Sequence, residues 1–327
     1  MIKEYLKNAK WLLFFRLCYE KIQEVSVLTK FIANGDMNKT ARKLETELFI
    51  CAHSIEKGMS IGAVRAGFGK KKVRGLLKDL QHYIEIGGDI EFVEDVCSII
   101  NKYVDFNKQL GCDMDDIYKE FDSFVKFNVP SCVFSEEVGI YKKSYSDVAF
   151  ANQFTFDKFS QSRFSVRDFG EEKIDFNKVL SALKICQKTP SACNRQSYKI
   201  YVYKDENLRN KIFELQGGCK GFYNDMQVAI LICGDLCGYK INELNQVYVD
   251  SGIYGMNMLY ALHYEGLAAI PLTMAFKQKK ISLVRQQMNI PENEIPCILI
   301  GVGSYKKGEY KVAVSKRKSF EEYTVVK

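Results

Sequence analysis

Two polar segments on either side of one short helical pattern constrain this chain more than any other feature. The first is RFSVR, from Arg163 to Arg167, and the second is PSACNRQ, from Pro190 to Gln196. Between them apolar residues recur at helical spacing, Asp175 stands where a helix N-cap is expected, and Pro190 follows the last turn. The sequence therefore predicts a helix that carries a polar loop at each end.

The RFSVR segment has the chemistry of a phosphate site. In an extended segment Arg163, Ser165 and Arg167 project to one side, where they offer two guanidinium groups and a hydroxyl. In the second segment, Asn194 and Gln196 carry donors and acceptors that suit the edge of a heteroaromatic ring. The alternative is that the arginines form surface salt bridges and that PSACNRQ is an ordinary loop between a helix and a strand. Together with the C-terminal features below, the two segments favour a cofactor site.

From about residue 155 to residue 327 the chain resembles the FMN-dependent nitroreductase family, in which an R-x-S-x-R segment, a PSxxNxQ loop and a late basic residue hold the flavin. The late element here is SKRKSFEEY, where the family pattern carries over onto Arg317 as a phosphate ligand, with Lys316 as a second candidate. The segment VDSGIYGMNMLYALHYEGLAAIPL resembles the long central helix of the family and its buried strand. Its end, Pro271 to Met274, falls where family members pass the reactive edge of the isoalloxazine.

The resemblance implies an enzyme whose redox chemistry takes place on FMN, without a catalytic protein nucleophile. It implies a ping-pong reaction in which NAD(P)H reduces the flavin and a small-molecule acceptor then binds over the same flavin face. Many nitroreductases have an acidic residue near the position of Thr273, so the threonine here puts nicotinamide use in question. Two alternatives remain: an FMN-dependent oxidase or dehydrogenase of a biosynthetic intermediate, and a non-catalytic flavin-binding scaffold in polysaccharide synthesis.

The resemblance also implies how the flavin is held. In that family the PSxxNxQ loop reaches the flavin of the partner subunit, so we expect a homodimer with FMN sites at the subunit interface. The residues expected to bind the cofactor are Arg163, Phe164, Ser165, Arg167, Pro190, Ser191, Ala192, Asn194, Gln196, Pro271, Leu272, Thr273, Met274, Lys316 and Arg317.

The fold expected for the second half is of the α+β class. Strand patterns near residues 198–203, 228–233, 268–272 and 297–302 are separated by helical stretches. The resemblance implies a nitroreductase-like fold, with a mixed, mostly antiparallel sheet flanked by helices.

The first half of the chain has a different pattern. Apolar residues recur every three or four positions from Leu44 to Ile55 and from Val73 to Ile84, which predicts a helical N-terminal region. We therefore expect two domains, a helical extension over residues 1–150 and an FMN-binding domain over residues 151–327. The stretch from Phe124 to Phe156 has no clear period and is expected to connect them.

One segment of the helical region, HSIEKGMSIGAVRAGFG, stands out. On a helix, His53, Glu56 and Lys57 share one face, and the loop that follows supplies Arg65 and Phe68. One interpretation is an exposed helix end followed by a flexible turn. The other is a polar wall that closes over the flavin and binds an anionic or sugar-like substrate. The HxxEKG element resembles that of nitroreductase-like proteins associated with surface-polysaccharide biosynthesis.

Composition narrows the class of protein. The net charge of +7, from 47 basic and 40 acidic residues, falls short of the pattern of nucleic-acid-binding proteins. The 11 cysteines are scattered, and their odd number predicts reduced thiols in the cytoplasm. We expect no metal site, because the sequence has no CxxC motif and only 3 histidines.

The N-terminal segment contains an apolar run from Trp11 to Phe15, closed by Arg16. This run is too short to span a bilayer, and it has no small-residue cleavage site. With Lys3, Lys7 and Lys10 nearby, a helix on a membrane surface is possible, but we expect the run to pack against the rest of the protein. The expected location is therefore the cytoplasm.

Overall fold

The computed structural model describes residues 10–31, 40–239, 243 and 245–327. Contacts within the chain group these residues into two units. The first comprises the described residues up to Glu56, together with Ala66–Gly139 and Ser315–Lys327; the second comprises Lys57–Arg65 and Ile140–Val314. The division at residue 150 stays a prediction, while contacts assign the C-terminal segment Ser315–Lys327 to the helical unit.

The described part of the first unit is built from helices. They are α1 (Lys10–Phe31), α2 (Ala41–Met59, whose last turn passes into the second unit), α3 (Lys70–Glu85), α4 (Ile90–Gln109) and α5 (Asp115–Asn128). The predicted helical spacing is confirmed by burial, and the buried positions are Leu44, Leu48 and Ile55 on α2 and Val73, Leu77 and Leu80 on α3.

The apolar run on α1 is not buried. Trp11, Phe14 and Phe15 are 58%, 61% and 63% exposed, so the expectation that this run packs against the rest of the protein is wrong. The buried side chains of α2 to α5 fill the core of the unit without it. Lys3 and Lys7 lie outside the described residues. Among the described helices, none is both long enough and apolar enough to cross a membrane.

The second unit contains the sheet. Its helices are α6 (Phe156–Ser162), α7 (Phe176–Ile185), α8 (Glu206–Gln216), α9 (Gln246–Tyr264) and α10 (Gln278–Met288). Its strands are β1 (Ile140–Ser144), β2 (Phe169–Gly170), β3 (Tyr198–Tyr203), β4 (Val228–Asp235), β5 (Ala268–Thr273), β6 (Glu294–Tyr305) and β7 (Glu309–Ala313).

Strand β6 is the central strand of the main sheet. It pairs with β4 along one edge, with β3 beyond β4, and with β5 and β2 along its other edge. All pairs among the described strands are antiparallel, including the separate pair of β1 and β7. The predicted α+β class, with a mixed, mostly antiparallel sheet flanked by helices, is confirmed, and the pairs among the described strands are antiparallel throughout.

Helices cover both faces of this sheet. Ile230 and Ile232 of β4 pack in one core with residues of α7 and α9, whereas Ala229 and Leu231 face a second core with residues of α8 and α10. This alternation gives β4 the continuous apolar sequence of a strand that is buried on both faces.

The four predicted strands are all present, and β6 is longer than predicted. Strand β1 lies within the stretch from Phe124 to Phe156 that was expected to be a connection. Its sequence, IYKKS, has little apolar character, and its partner β7 is distant along the chain. The predicted N-cap is confirmed, because the Asp175 side chain accepts a hydrogen bond from the Asn177 N–H at 2.9 Å.

A buried chain of hydrogen bonds connects α6, α9 and β6. The Ser162 hydroxyl donates to the Phe159 carbonyl at 2.9 Å, so its oxygen accepts from His263 Nε2 at 2.7 Å. His263 Nδ1 is then the acceptor for the Tyr305 hydroxyl, 2.9 Å away. Burial, and secondarily the charge of Arg163, lowers the pKa of His263 to about 4. A neutral histidine therefore supports the residue that precedes Arg163.

This burial predicts a pH dependence of stability. Below about pH 6.5, the ordinary pKa of histidine, His263 takes up a proton in the unfolded chain but stays neutral in the folded chain. The stability contributed by neutral His263 is therefore fully present above about pH 6.5 and falls as the pH approaches 4. Between pH 7 and pH 5 this group should lower the free energy of unfolding by about 2 kcal/mol. Urea unfolding followed by circular dichroism at both pH values measures it.

The control uses a second histidine. His263→Gln should lose this part of the pH dependence, whereas His82→Gln, at a side chain that is 54% exposed, should keep it. Equal pH dependence in the wild type and His263→Gln contradicts the interpretation.

Candidate functional site

The RFSVR segment runs along the edge of the main sheet. The Val166 N–H donates to the Ala269 carbonyl of β5 at 3.1 Å, and the chain then enters β2. Phe164 and Val166 are buried, and the Phe164 ring lies 6.1 Å from the ring of Tyr305. The apolar half of the segment therefore anchors it to the sheet.

The polar half of the segment lies on its other side. Arg163, Ser165 and Arg167 are half-buried and alternate with the buried residues, as the sequence predicts. Two guanidinium groups and a hydroxyl on one side of a fixed backbone are a donor set that fits a phosphate. The segment thus has the residue types of an anion-binding site.

A cavity of about 470 Å³ borders the end of this segment, with Arg167, Asp168 and Lys306 among its lining residues. Lys306 pairs with Asp168 at 3.1 Å. Gly62 also lines the cavity, and a Cβ at that position would lie 2.4 Å from Asp168 Oδ1. The loop after the HSIEKG element therefore approaches the end of the RFSVR segment, and a side chain at position 62 would require the Asp168 carboxylate to shift.

The PSACNRQ loop has an unusual backbone. The backbone φ angles of Cys193, Asn194 and Gln196 are 51°, 54° and 52°. These values lie in the left-handed region, which residues other than glycine rarely adopt. Each such residue costs about 1 kcal/mol or more, so the surrounding contacts must hold the loop in this conformation. Within the loop, the Gln196 N–H donates to Ser191 Oγ at 2.8 Å. Asn194 and Gln196 remain exposed.

Asp250 of α9 is the main support of this loop. Its carboxylate is 1% exposed and accepts hydrogen bonds from the Ala192 N–H at 3.2 Å, the Tyr239 hydroxyl at 2.9 Å and Gln246 Nε2 at 2.9 Å. Burial, and then the hydrogen bond to Asp250, raises the pKa of Tyr239. Asp250 was not among the predicted site residues. Its position as the lone carboxylate in the segment VDSGIYG could have indicated a buried polar role.

An ion pair adds a second support. The Arg195 guanidinium pairs with both carboxylate oxygens of Glu243, at 2.7 and 3.1 Å, and donates through Nε to the Ala192 carbonyl at 2.9 Å. This bidentate geometry fixes the turn between Ala192 and Arg195. The sequence reasoning also missed this pair.

The third predicted element is the end of β5. Pro271 and Thr273 are exposed, whereas Leu272 and Met274 are buried, as alternation along a strand requires. Among the described strands, β5 pairs only with β6, and this edge position tolerates a proline that has no N–H. Gln216 Nε2 donates to the Thr273 carbonyl at 3.1 Å, so the backbone beyond Pro271 is fixed from the opposite side.

Within the first unit, His53 and Glu56 line a cavity of about 570 Å³. Glu56 is buried; one carboxylate oxygen accepts from the Gly139 N–H at 2.9 Å, and the other lies 3.1 Å from His53 Nδ1. Since both carboxylate oxygens are engaged, Glu56 fixes the imidazole, and Nε2 is the ring nitrogen left for a ligand. The Phe49 ring stacks on His53 with an interplanar angle of 22°.

The two late basic residues also line this cavity. Lys316 Nζ lies 2.7 Å from both carboxylate oxygens of Asp95, so its charge is neutralised. Arg317 is exposed and donates to the Ser315 carbonyl at 2.6 Å. Of these two residues, Arg317 is therefore the better placed to bind an anion.

The lining residues of this cavity do not include the other substrate candidates, Lys57, Arg65 and Phe68. Lys57 and the exposed Arg65 belong to the segment that packs with the second unit, and the Phe68 ring packs edge-on against Tyr103 at 5.3 Å. The HSIEKG element thus places a dyad at one cavity and its following loop beside the RFSVR segment. Among the described residues, no group of three or more His, Cys, Asp or Glu could hold a metal ion.

Comparison with known proteins identifies similar sequences and structures. The profile of the Nitroreductase family matches residues 161–220 and 214–304. A protein of Methanothermobacter thermautotrophicus, provisionally named an NADH dehydrogenase/NAD(P)H nitroreductase, is 24% identical over 144 residues, which are 44% of this chain and 73% of that protein.

Two solved structures illustrate the range of structural similarity. A nitroreductase family protein from Streptococcus pneumoniae is 19% identical with a TM-score of 0.44, and the match covers 53% of this chain and 100% of the other. A protein from Clostridium difficile, named an FMN-dependent nitroreductase, is 18% identical with a TM-score of 0.39, and the match covers 45% of this chain and 87% of the other.

Proposed function

We propose that this chain is an oxidoreductase that uses FMN, because residues 161–220 and 214–304 match the profile of the Nitroreductase family. The proposed reaction is ping-pong, with NAD(P)H as the reductant and a small molecule as the acceptor. The observation that carries the proposal is the RFSVR segment, which is anchored by buried apolar residues and has Arg163, Ser165 and Arg167 on its polar side.

The proposed cofactor contacts follow from these donors. Arg163 and Arg167 would neutralise the phosphate, and Ser165 would support the phosphate or the ribityl chain. By the family resemblance alone, Arg317 is a further candidate for the phosphate, and Lys316, which is paired with Asp95, is a weaker one. When bound, FMN supplies hydride transfer between the nicotinamide and the acceptor.

The chain's own residues provide position and access. Asp250 and the Arg195–Glu243 pair hold the PSACNRQ loop in a strained conformation, which keeps the exposed Asn194 and Gln196 available to a flavin. Gln216 fixes the backbone at Thr273, which is proposed to border the ring. His53, oriented by Glu56 at its own cavity, is the proposed contact for the substrate.

A homodimer is part of this proposal. Helix α9 exposes Val249, Ile253, Met256 and Tyr264, which are between 38% and 51% exposed. Positions 249, 253 and 256 share one helix face, and the same helix holds the PSACNRQ loop through Asp250. A second copy seated on this face would bring the loop to the partner's flavin. The free thiols of the described cysteines support a cytoplasmic location.

A second function is favoured by Thr273. This exposed residue stands where many nitroreductases have an acid, and its hydroxyl accepts from the Ala275 N–H at 3.1 Å. An FMN-dependent oxidase or dehydrogenase that takes electrons from its own substrate is therefore the alternative reaction. A non-catalytic scaffold would have little need of Asn194 held next to the ring.

The phosphate assignment predicts a loss of FMN affinity. Each charge-assisted contact contributes about 1.5–3 kcal/mol, so Arg163→Gln and Arg167→Gln should each raise the FMN dissociation constant roughly 10- to 100-fold. Quenching of FMN fluorescence during titration with apoprotein measures this constant. The matched control is Arg74→Gln, which removes the same charge from an exposed pair with Asp116. An unchanged constant in both site variants removes the RFSVR segment from the flavin site.

The dimer assignment predicts a change of mass in solution. Ile253→Glu places a charge in the proposed interface and should convert the dimer to a monomer with reduced FMN content, because the partner loop is lost. Leu283→Glu is the control, since Leu283 on α10 is also exposed, by 45%, but lies outside the α9 face. Sedimentation velocity and flavin absorbance report the two effects; a dimer that survives Ile253→Glu refutes this interface.

A further inference from the structure

The exposed apolar surface of α1 is the largest feature that the proposed function leaves unexplained. The side chains on this helix with 47% to 63% exposure are Trp11, Leu13, Phe14, Phe15, Tyr19, Ile22 and Val25. Burial of large apolar side chains is the main favourable term in association, so a helix that exposes so many of them is built to be covered.

Five of these seven residues lie on one side of the helix. At about 100° per residue, Trp11, Phe14, Phe15, Ile22 and Val25 fall within about 100° of its circumference. We call these five residues the α1 apolar face. The exposed Arg16 falls on the opposite side of the helix, together with the exposed Leu13. Between Trp11 and Val25 the helix therefore has one side on which exposed apolar side chains predominate.

The residue types on α1 favour a lipid surface over a second helix as the partner of the α1 apolar face. Trp11, Phe14, Phe15 and Tyr19 are aromatic. Aromatic residues, and tryptophan above all, are enriched where membrane meets water, whereas the seams of coiled coils are filled by Ile, Val and Leu. A partner that accepts bulky rings without a matching set of holes fits this face better than a second copy of α1.

The net positive charge of α1 also favours a lipid surface as the partner. Residues 10–31 contain the basic residues Lys10, Arg16, Lys21 and Lys30 against the acidic Glu20 and Glu24, and the whole chain has a net charge of +7. A basic amphipathic helix is attracted to anionic headgroups, and each basic residue near the surface adds to that attraction.

We propose that α1 binds the surface of anionic membranes, with its axis in the plane of the headgroups and the α1 apolar face buried among them. The helix attaches the protein to the bilayer from one side. This inference depends on the exposure and composition of α1, and it is independent of whether FMN binds to the second unit.

The chain provides its own probe, because Trp11 is its only tryptophan. The full-length protein is mixed with vesicles of phosphatidylcholine that contain about 30% phosphatidylglycerol, or with vesicles of pure phosphatidylcholine. We expect the protein to sediment with the anionic vesicles, with a blue shift of Trp11 fluorescence, and to bind the neutral vesicles at least about fivefold more weakly because the electrostatic attraction is lost.

Substitutions on the α1 apolar face test the geometry. Phe15→Asp should lower binding to anionic vesicles by at least about tenfold, because a buried aromatic side chain is replaced by a charge. The matched control is Phe127→Asp, at a phenylalanine of α5 that is 81% exposed, which should bind like the wild type. Ile22→Asp is a second variant on the same face, and circular dichroism verifies that each variant is folded.

Three results would overturn the proposal. One is the absence of binding to anionic vesicles by the folded wild type. Another is binding that Phe15→Asp and Ile22→Asp leave unchanged. The third is a blue shift of Trp11 that appears on raising the protein concentration without vesicles and is not increased by them, because a second copy would then be the occupant of the face.

Discussion

The pairing of β6 with three strands is the constraint on which the candidate site depends. Because β4 occupies one edge of β6, the chain that enters β2 must pass along β5, where Val166 donates to Ala269. Phe164 and Val166 then fill the core beneath, and the alternation of an extended backbone turns the neighbouring polar side chains the other way. The polar side of the RFSVR segment, which is proposed to bind the FMN phosphate, is thus a consequence of how one edge of the sheet is completed.

Helix α9 connects this edge to the rest of the second unit. Near its start Asp250 holds the strained PSACNRQ loop, and near its end His263 supports Ser162, which precedes Arg163. Its exposed face, with Val249 and Ile253, is the proposed dimer interface. One helix therefore couples loop conformation, the RFSVR segment and subunit contact, so we expect folding, dimerisation and flavin binding to be linked.

The sequence predicted what local pattern and composition determine. Alternation in RFSVR, the Asp175 cap and the four central strands followed from periodicity, because burial on one face repeats with the geometry of the element. Periodicity does not identify what an element packs against. It therefore missed the pairing of β1 with β7, the Asp250 contact to Ala192 and the exposure of Trp11, and it gave no sign that the segment around Arg317 packs with the helical unit. Each of these depends on residues distant in the sequence.

Anaerobic titration of the FMN-loaded protein with NADH and NADPH tests the central claim most directly. We expect the purified or reconstituted protein to hold one FMN per chain and to release it on denaturation, and we expect at least one of the two nicotinamides to remove its visible absorbance. A folded protein that remains colourless after incubation with excess FMN would contradict the assignment of the RFSVR segment to a flavin site.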